Sequence, residues 1–446
     1  MIALVVNPIA GVGGPAGLAG SDGAAVQERA EALGSRRRAA ERARLALETV
    51  AATRRSSSDE GAYRGHTRSL DTALRAYSTG GKLVVLTAAG AMGEDAVRAA
   101  GLEPRVVFRA SSGDGTSETT AADTTAAARA LVDAGASLVL FAGGDGTARD
   151  VAAGLDRRRS RSDEGAYRDP SLGLDTALRA YSTGGEVAAL GIPAGVKMYS
   201  PVFAVSPRAA GALAAAWVAA SEAGGSLPVQ QREVLDVDEA QLRVARVEPR
   251  LYATMAVPYL AGRTQARKSA TPASEHAAVV AAARGAARSL RPGVRYLLGP
   301  GGTMAEVARE LGVAKTPLGV DVVLDGVVVR AAASESELLD EIAAGPAKAV
   351  VSVIGGQGFL LGRGNQQLSA RVLRALGPDP LVAVAPEQKL IDLGGRPLLV
   401  DTGDAAVDAR LAGFVRVITS AATTSIYPVT APDAEASDPE GEGHAP

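Results

Sequence analysis

Short apolar runs separated by glycine-rich loops recur along the first half of the chain. Five of these runs have the length of a buried strand: 2–6, 82–87, 105–108, 137–141 and 187–192. Segments rich in alanine and compatible with helices lie between several of them. Strands that alternate with helices are typical of an open parallel sheet, in which loops at the carboxyl ends of the strands form a ligand crevice. The pattern therefore predicts a Rossmann-like α/β domain over residues 1–224.

The pattern changes in the second half of the chain. Residues 227–257 alternate in a strand-like way, and Asp325-Gly326 between two apolar runs predicts a β-hairpin. The last strand is predicted at Val415–Thr419. We expect a second, β-rich α+β domain that binds the substrate over residues 225–428. The acidic residues after it, 429–446, have the composition of a disordered tail.

Two nearly identical segments interrupt the alternation of helices and strands. Residues 58–81 and 162–185 share the sequences SDEGAYR and LDTALRAYSTGG and differ in the five residues between them. Both follow a helical segment and precede a strand, and in a parallel sheet such connections lie at the edge opposite the ligand site. We therefore expect two surface insertions that lie next to each other and away from the ligand site.

Composition excludes several kinds of chemistry. The chain of 446 residues has no cysteine and only three histidines, which are far apart in sequence. Disulfides, thiolate catalysis and cysteine-zinc sites are therefore excluded, and a Ser-His-Asp triad is disfavoured. The formal net charge of −2 gives no electrostatic basis for binding nucleic acid or an anionic membrane.

The termini and the apolar stretches favour a cytoplasmic protein that has no membrane partner. The N-terminal sequence MIALVVNP lacks the basic segment of a signal peptide. The longest apolar stretch, Ala209–Ala220, is too short to span a bilayer and is interpreted as a core helix.

The strongest chemical signal is the segment ASLVLFAGGDGTARD, residues 136–150, which predicts a strand, a glycine loop and a helix. Bare backbone amides at a helix N-terminus bind phosphate, and the three loop glycines Gly143, Gly144 and Gly146 allow close approach. A carboxylate in such a loop, Asp145, suggests Mg²⁺ binding or proton transfer, both of which indicate phosphoryl transfer. The alternative is a tight turn in which Asp145 caps the helix.

Two further loops of the first half carry candidate ligand groups. Asparagine occurs only at Asn7 and Asn365, both in glycine-rich loops, which suggests a specific hydrogen-bonding role or, for Asn7, a simple turn before Pro8. Lys197 follows a predicted strand in the loop PAGVK, where it would neutralise a phosphate or remain solvated.

The densest polar cluster of the second half follows the predicted strand at 348–354. It contains the glycine loop at 355–358 and the sequence GRGNQQ, in which Arg363 offers a bidentate fork for phosphate or carboxylate. Asp401 and Asp404 follow a later strand and would serve Mg²⁺ or ribose hydroxyls, although Asp404 is also well placed to cap the next helix.

These motifs resemble a known family. GGDGT after an apolar strand, together with NPxAG at the N-terminus, resembles the NAD kinase and diacylglycerol kinase superfamily. The segments FAGGDGTARDV, GIPAGVKM, LGVDVVLDG, IGGQGFLLGRGNQQ and VDTGD resemble the ATP-NAD kinase family, in its archaeal-type and acetoin-catabolism-associated branch. Apart from the two repeated segments and the tail, the resemblance covers nearly the whole chain.

The resemblance implies transfer of the terminal phosphoryl group of ATP, or of polyphosphate, to the 2′-hydroxyl of the adenosine ribose of NAD, with Mg²⁺. Asp145 would be the catalytic carboxylate that activates the hydroxyl or positions Mg²⁺. Candidate ATP-binding residues are Asn7, Gly11, Gly143, Gly144, Gly146, Thr147, Gly195 and Lys197. Candidate substrate-binding residues are Gly355, Gly356, Gln357, Arg363, Asn365, Gln366, Asp401 and Asp404. The chain departs from typical NAD kinases because it lacks their Asn-Glu pair.

Three other functions compete with this interpretation. A kinase for lipids or other small molecules would favour an apolar acceptor groove, whereas the loops of the second half are polar. An NAD-dependent dehydrogenase is suggested by Gly11–Ala16, which matches G-x-G-x-x-G/A, but Pro15 is awkward there and no ribose-binding acid follows the next strand. Asp145 argues against a non-catalytic nucleotide-binding regulator. A homo-oligomer is expected.

Overall fold

The computed structural model describes residues 1–18, 24–60, 83–110, 119–156, 187–236, 250–260, 262–265 and 276–433. The chain divides into two compact units, Met1–Lys268 (unit 1) and Ser269–Pro446 (unit 2). The predictions for the two repeated segments lie outside the described residues, except for 58–60 at the end of a helix. The tail beyond residue 433 also lies outside them.

Unit 1 alternates strands and helices. Its elements are β1 Ile2–Val6, α1 Ala24–Ala32, α2 Ala39–Glu60, β2 Val84–Ala88, α3 Glu94–Ala99, β3 Glu103–Phe108, α4 Ala121–Asp133, β4 Leu138–Gly143, α5 Asp145–Leu155, β5 Ala188–Pro193, α6 Pro207–Glu222, β6 Val229–Asp236 and β7 Arg250–Pro258. Most of the apolar stretch at 209–220 is buried in α6, which confirms it as a core helix. In the described part of the chain, no helix is long and apolar enough to cross a membrane.

The main sheet of unit 1 is parallel and has the strand order β3-β2-β1-β4-β5. Every residue of β1, β4 and β5 is buried, which explains why these strands appear in the sequence as unbroken apolar runs. The strand order reverses between β1 and β4, where Val6 pairs with Ala142. Ligands of open α/β sheets bind at such a reversal, outside the carboxyl ends of the strands. The predicted Rossmann-like fold is confirmed.

The strands β6 and β7 form an antiparallel ribbon that belongs to unit 1. The alternating pattern predicts strands here, but the predicted C-terminal domain starts at residue 225, before the ribbon. Tertiary contacts attach the ribbon to unit 1, because Leu235 is hydrogen-bonded to Ser200 and Asp236 pairs with Arg149 of α5. An alternating pattern predicts a strand, but it does not predict which domain the strand packs against.

Unit 2 is built around a mixed nine-stranded sheet. Its elements are α7 His276–Ser289, β8 Arg295–Leu298, α8 Gly302–Glu310, β9 Asp321–Leu324, β10 Val327–Arg330, α9 Glu335–Ala343, β11 Ala347–Ser352, β12 Phe359–Leu361, α10 Ala370–Ala375, β13 Leu381–Val384, α11 Glu387–Ile391, β14 Leu398–Val400, α12 Ala405–Leu411, β15 Gly413–Ile418 and β16 Thr424–Thr430. The strand order is β10-β9-β8-β11-β13-β15-β16-β14-β12.

Two strand predictions for unit 2 have different outcomes. The hairpin at Asp325-Gly326 is confirmed, because β9 and β10 pair antiparallel and both turn residues have positive φ, 49° and 76°. The prediction that 415–419 is the last strand is wrong, because β16 follows β15 and pairs with it. Most β16 residues are polar or partly exposed, and the strand contains Pro428, so its apolar pattern is weak.

Candidate active site

Three segments, here called the three loops, meet at the carboxyl edge of the unit 1 sheet: residues 7–17 after β1, 143–147 from the end of β4 into the first turn of α5, and 194–200 after β5. They are packed backbone against backbone. A Cβ atom on Gly11 would lie 2.1 Å from the Ala194 carbonyl oxygen, and one on Gly195 would lie 2.3 Å from the Gly144 Cα. The amides of Ala194 and Gly195 both donate to the Gly143 carbonyl, at 3.0 and 2.8 Å. The contacts between the loops therefore require glycine at these positions.

Asn7 joins the first of these loops to the second. Its Nδ2 donates to Thr147 Oγ1 at 3.0 Å, and its Oδ1 accepts from the Ile9 amide at 3.2 Å. Its backbone amide donates to the Ala142 carbonyl at 3.0 Å. A side chain with both a donor and an acceptor is needed for this pattern, which gives a physical reason for one of the two asparagines in the sequence.

Asp145 lies at the centre of the three loops and is 1% exposed. It is the first residue of α5, but it does not cap the helix, because Gly144 is the N-cap residue. The carboxylate binds the third loop instead. Oδ2 accepts from the Tyr199 amide at 2.6 Å, and Oδ1 accepts from the Ser200 amide at 3.0 Å and from Ser200 Oγ at 2.6 Å.

The charge of Asp145 changes close to neutral pH. Burial raises the pKa of its carboxyl to about 6, and the charge of Asp236 raises it further, while the hydrogen bonds from Ser200 and Tyr199 oppose the rise. Burial raises the pKa of the neighbouring Tyr199 to about 12, so this phenol stays neutral. A carboxyl group with a pKa near the working pH is suited to taking up and releasing a proton.

Gly146 differs from the other glycines of the site. Among the described residues nothing lies within 4 Å of a Cβ atom built on it, so packing does not require a glycine here. It lies in the first turn of α5, where backbone amides lack partners within the helix and the helix dipole favours an anion. Open space beside these amides is what a bound phosphate needs.

The predicted basic group of the third loop, Lys197, contributes a backbone contact. Its carbonyl accepts from the Asp145 amide at 3.0 Å, and its side chain is half-buried. The structure therefore brings together, within unit 1, all the residues that the sequence analysis assigns to ATP and to catalysis. Their roles toward ligands remain predictions.

In unit 2, Arg363 and Asp401 bind each other. Arg363 Nη1 lies 2.7 Å from Asp401 Oδ2, and both side chains are only 3% exposed. The guanidinium also stacks 4.1 Å from the centre of the Phe359 ring. Two groups predicted to hold substrate therefore form a buried ion pair in the structure.

The neighbouring predicted residues also contact their own loops. Asn365 accepts from the Gly362 amide at 2.9 Å and donates to the Leu360 carbonyl at 2.8 Å. Asp404 is the N-cap residue of α12 and accepts from the Val407 amide at 3.1 Å, as its capping interpretation requires. Gln366 follows Asn365 in the same loop, and Gly355, Gly356 and Gln357 lie in the loop between β11 and β12.

Among the residues that the structure describes, no group of three or more His, Asp or Glu side chains is placed to hold a metal ion. Both oxygens of Asp145 already accept hydrogen bonds from the protein. The described side chains thus do not form a metal cage of their own.

Sequence reasoning missed Ser200 and Gln265, which support Asp145. Gln265 Nε2 donates to the Ser200 carbonyl at 2.8 Å, and both residues are buried. Ser200 is 55 positions from Asp145 along the chain. An isolated serine or glutamine carries no motif, so only the fold shows these contacts.

Two family models match the chain. One, described as the ATP-NAD kinase N-terminal domain, matches residues 2–159, and the other, described as the ATP-NAD kinase C-terminal domain, matches residues 291–429. The first match contains β1, β4 and the GGDGT loop, and the loop at 194–200 lies between the two matches. No curated protein and no solved structure matches the chain.

Proposed function

The chain belongs to the ATP-NAD kinase family and is an ATP-dependent NAD kinase, and we propose that Asp145 is the carboxylate that activates the acceptor hydroxyl. The observation that carries this proposal is the position of Asp145. Its carboxyl is buried where the strand order of the sheet reverses, and its pKa is raised to about 6.

In the proposed reaction, Asp145 takes the proton of the 2′-hydroxyl of the adenosine ribose as that oxygen attacks the γ-phosphorus of ATP. The bond between the γ-phosphorus and the bridging oxygen breaks, so ADP leaves and NADP forms. Phosphoryl transfer depends mainly on positioning and on stabilising charge, and it needs no cysteine or histidine nucleophile. The first-turn amides of α5 beside Gly146 would bind the phosphates.

We propose that Mg²⁺ is the divalent metal, which the phosphates of ATP would hold and whose charge would offset theirs during phosphoryl transfer. Mg²⁺ is usually held by substrate phosphates and waters together with one or two carboxylates. This agrees with the described residues, none of which are grouped into a metal cage.

In unit 2 we propose that the loops at 355–358 and 362–367 contact NAD. Gly355, Gly356, Gln357 and Gln366 would provide the contacts. Arg363, Asn365 and Asp401 would hold the loop at 362–367 in shape through their contacts with one another and with Leu360 and Gly362, whereas Asp404 would cap α12. We also propose that the enzyme is a cytoplasmic homo-oligomer, and sedimentation velocity of the full chain would test its oligomeric state.

The test of the function is NADP formation by the purified protein from NAD, ATP and Mg²⁺, repeated with polyphosphate as donor. NADP formed with either donor would support NAD as the acceptor and would identify which donors the enzyme uses. If neither donor gave NADP while a lipid or another sugar was phosphorylated, the acceptor would be different.

The activity should fall at acidic pH. Asp145 can accept a proton only when it is ionised, and its pKa is raised to about 6. We expect kcat/KM for NAD to be constant above that pH and to fall about tenfold per pH unit well below it. A pH-rate profile with saturating ATP would measure this. A profile that stays flat down to pH 4.5 would contradict the role of Asp145.

The two glycines that flank Asp145 should respond differently to alanine. Gly146→Ala should leave stability unchanged or raise it by up to about 1 kcal/mol, because alanine favours helix. It should raise KM for ATP by about tenfold, because the methyl group enters the proposed phosphate space. Steady-state kinetics and thermal denaturation would measure both effects.

Gly144→Ala is the matched comparison. Its methyl group would lie 2.8 Å from the Lys197 carbonyl oxygen and 3.1 Å from the Gly195 Cα, so the loops would have to separate. We expect a loss of about 1–3 kcal/mol in stability. If Gly146→Ala destabilised the protein as much as Gly144→Ala and left KM unchanged, the space beside Gly146 would not be a phosphate site.

A further inference from the structure

Ser200 links the catalytic carboxylate to the β6 strand. The residue is fully buried, and its Oγ lies 2.6 Å from Asp145 Oδ1. The same oxygen lies 2.9 Å from the backbone carbonyl oxygen of Leu235 and 2.9 Å from the Leu235 amide nitrogen. One hydroxyl group therefore has three polar neighbours and no access to solvent.

The hydroxyl has one hydrogen and two acceptors for it. The Leu235 amide can only donate, so it occupies one lone pair of Oγ. The single hydrogen is then directed either to Asp145 Oδ1 or to the Leu235 carbonyl. An ionised carboxylate is the stronger acceptor, whereas a protonated carboxyl is a weaker one that can itself donate to Oγ.

The backbone around Ser200 is held by other hydrogen bonds, so reorienting the hydroxyl hydrogen alone is enough to change its acceptor. The Ser200 amide donates to Asp145 Oδ1 at 3.0 Å, and its carbonyl accepts from Gln265 Nε2 at 2.8 Å. Leu235 is paired with Leu251 across the β6–β7 ribbon. The change of acceptor requires rotation about the Cβ–Oγ bond and no displacement of a heavier atom.

We propose that Ser200 is a positioning residue whose hydroxyl donates to Asp145 while that carboxylate is ionised and turns to the Leu235 carbonyl once Asp145 holds the ribose proton. The proposal rests on the proposed function of Asp145 as the proton acceptor. The proton passes from the 2′-hydroxyl to Asp145, and Ser200 neither gains nor loses one. Both charge states of the buried carboxyl are thereby hydrogen-bonded without water.

Among the residues that the structure describes, few other charges act on the hydrogen bond between Ser200 and Asp145. Asp236 of β6 faces Asp145 and favours its protonated form. Asp236 is itself held by Arg149 of α5, at 3.0 Å, and Arg149 also pairs with Asp150 at 3.3 Å. The third loop contributes Lys197 and the neutral Tyr199. Removing the Ser200 hydroxyl leaves all these groups in place, so its effect can be measured alone.

The experiment compares Ser200→Ala with Ser200→Thr, which keeps the hydroxyl, and with Ser206→Ala as a control. Ser206 is equally buried and caps α6 through the Ala209 amide at 3.0 Å, so its loss tests the effect of removing any buried hydroxyl in unit 1. The first readout is the titration of the Asp145 carboxyl by ¹³C NMR, assigned with Asp145→Asn. The second is the pH-rate profile for NADP formation.

In Ser200→Ala we expect the Asp145 titration and the acidic limb of the profile to move together to higher pH, by about one pH unit. Activity lost at pH 7 should then recover near pH 9. Ser200→Thr and Ser206→Ala should titrate like the wild type. If Ser200→Ala does not fold, Ser200→Cys, a weaker donor, should move both midpoints in the same direction.

An unchanged Asp145 titration in Ser200→Ala or Ser200→Cys would overturn the proposal, as would an equal shift in Ser206→Ala. The NMR titration needs no turnover, so it tests the role of the Ser200 hydroxyl separately from the proposed function of Asp145. A shifted titration in a protein that makes no NADP would leave the role of this hydroxyl standing and refute the proposed function.

Discussion

Asp145→Asn is expected to lower kcat for NADP formation by roughly 10²–10⁴-fold, which is the usual contribution of a positioned proton acceptor. Asparagine has nearly the same shape as aspartate but cannot take the proton of the ribose hydroxyl. The residual rate should also lose the acidic limb near pH 6, because the titrating group is gone. Coupled-assay kinetics between pH 5 and 9 would measure both effects.

The matched control is Asp150→Asn. Asp150 lies on the same helix and pairs with Arg149, away from the contacts of Asp145 with Tyr199 and Ser200. The control should retain activity, and circular dichroism should show that both variants are folded. Full activity in Asp145→Asn would refute the catalytic role, and an equal loss in both variants would point to damage to α5.

Arg363→Met should destabilise unit 2 by about 3–5 kcal/mol, because it leaves the buried Asp401 carboxylate without its guanidinium partner. The loss of the stacking contact with Phe359 adds to the effect. Trp217 is the only tryptophan of the chain and lies in unit 1, whereas far-UV circular dichroism reports on both units. The urea transition seen by dichroism should therefore shift more than the transition seen by fluorescence.

An exposed ion pair of the same unit provides the control. Arg284 and Glu310 lie 3.1 Å apart with side chains 48% and 24% exposed, so Arg284→Met should change stability by less than about 1 kcal/mol. The double variant Arg363→Met with Asp401→Asn should recover part of the loss, since no buried charge remains. If Arg363→Met had normal stability and a raised KM for NAD, the result would instead support the prediction that Arg363 binds the substrate.

The sequence predicts those parts of the fold that depend on local patterns. Apolar runs indicate the buried strands of the parallel sheet, and Asp325-Gly326 indicates a hairpin because its positive φ angles suit few other residues. The glycine loops after β1, β4 and β5 are recognisable for a similar reason. They follow strands whose carboxyl ends must share one edge of the sheet.

The remaining features depend on contacts between distant parts of the chain. The β6–β7 ribbon belongs to unit 1 through Leu235 and Asp236, whose partners lie in a loop and a helix far from them in sequence. The pairing of Arg363 with Asp401 spans 38 positions, so each charge taken alone suggests a ligand. Ser200 was missed because its importance comes entirely from its neighbours in space.

The packing of the three loops backbone against backbone limits how this enzyme can change. A side chain added at Gly11 meets the loop after β5, and one added at Gly195 meets the loop after β4. Substitutions in one loop therefore depend on the residues of the others, and their effects will not add. This epistasis has a consequence for engineering the enzyme to use a different phosphoryl donor. Exchanging all three loops together should succeed more often than randomising any single position.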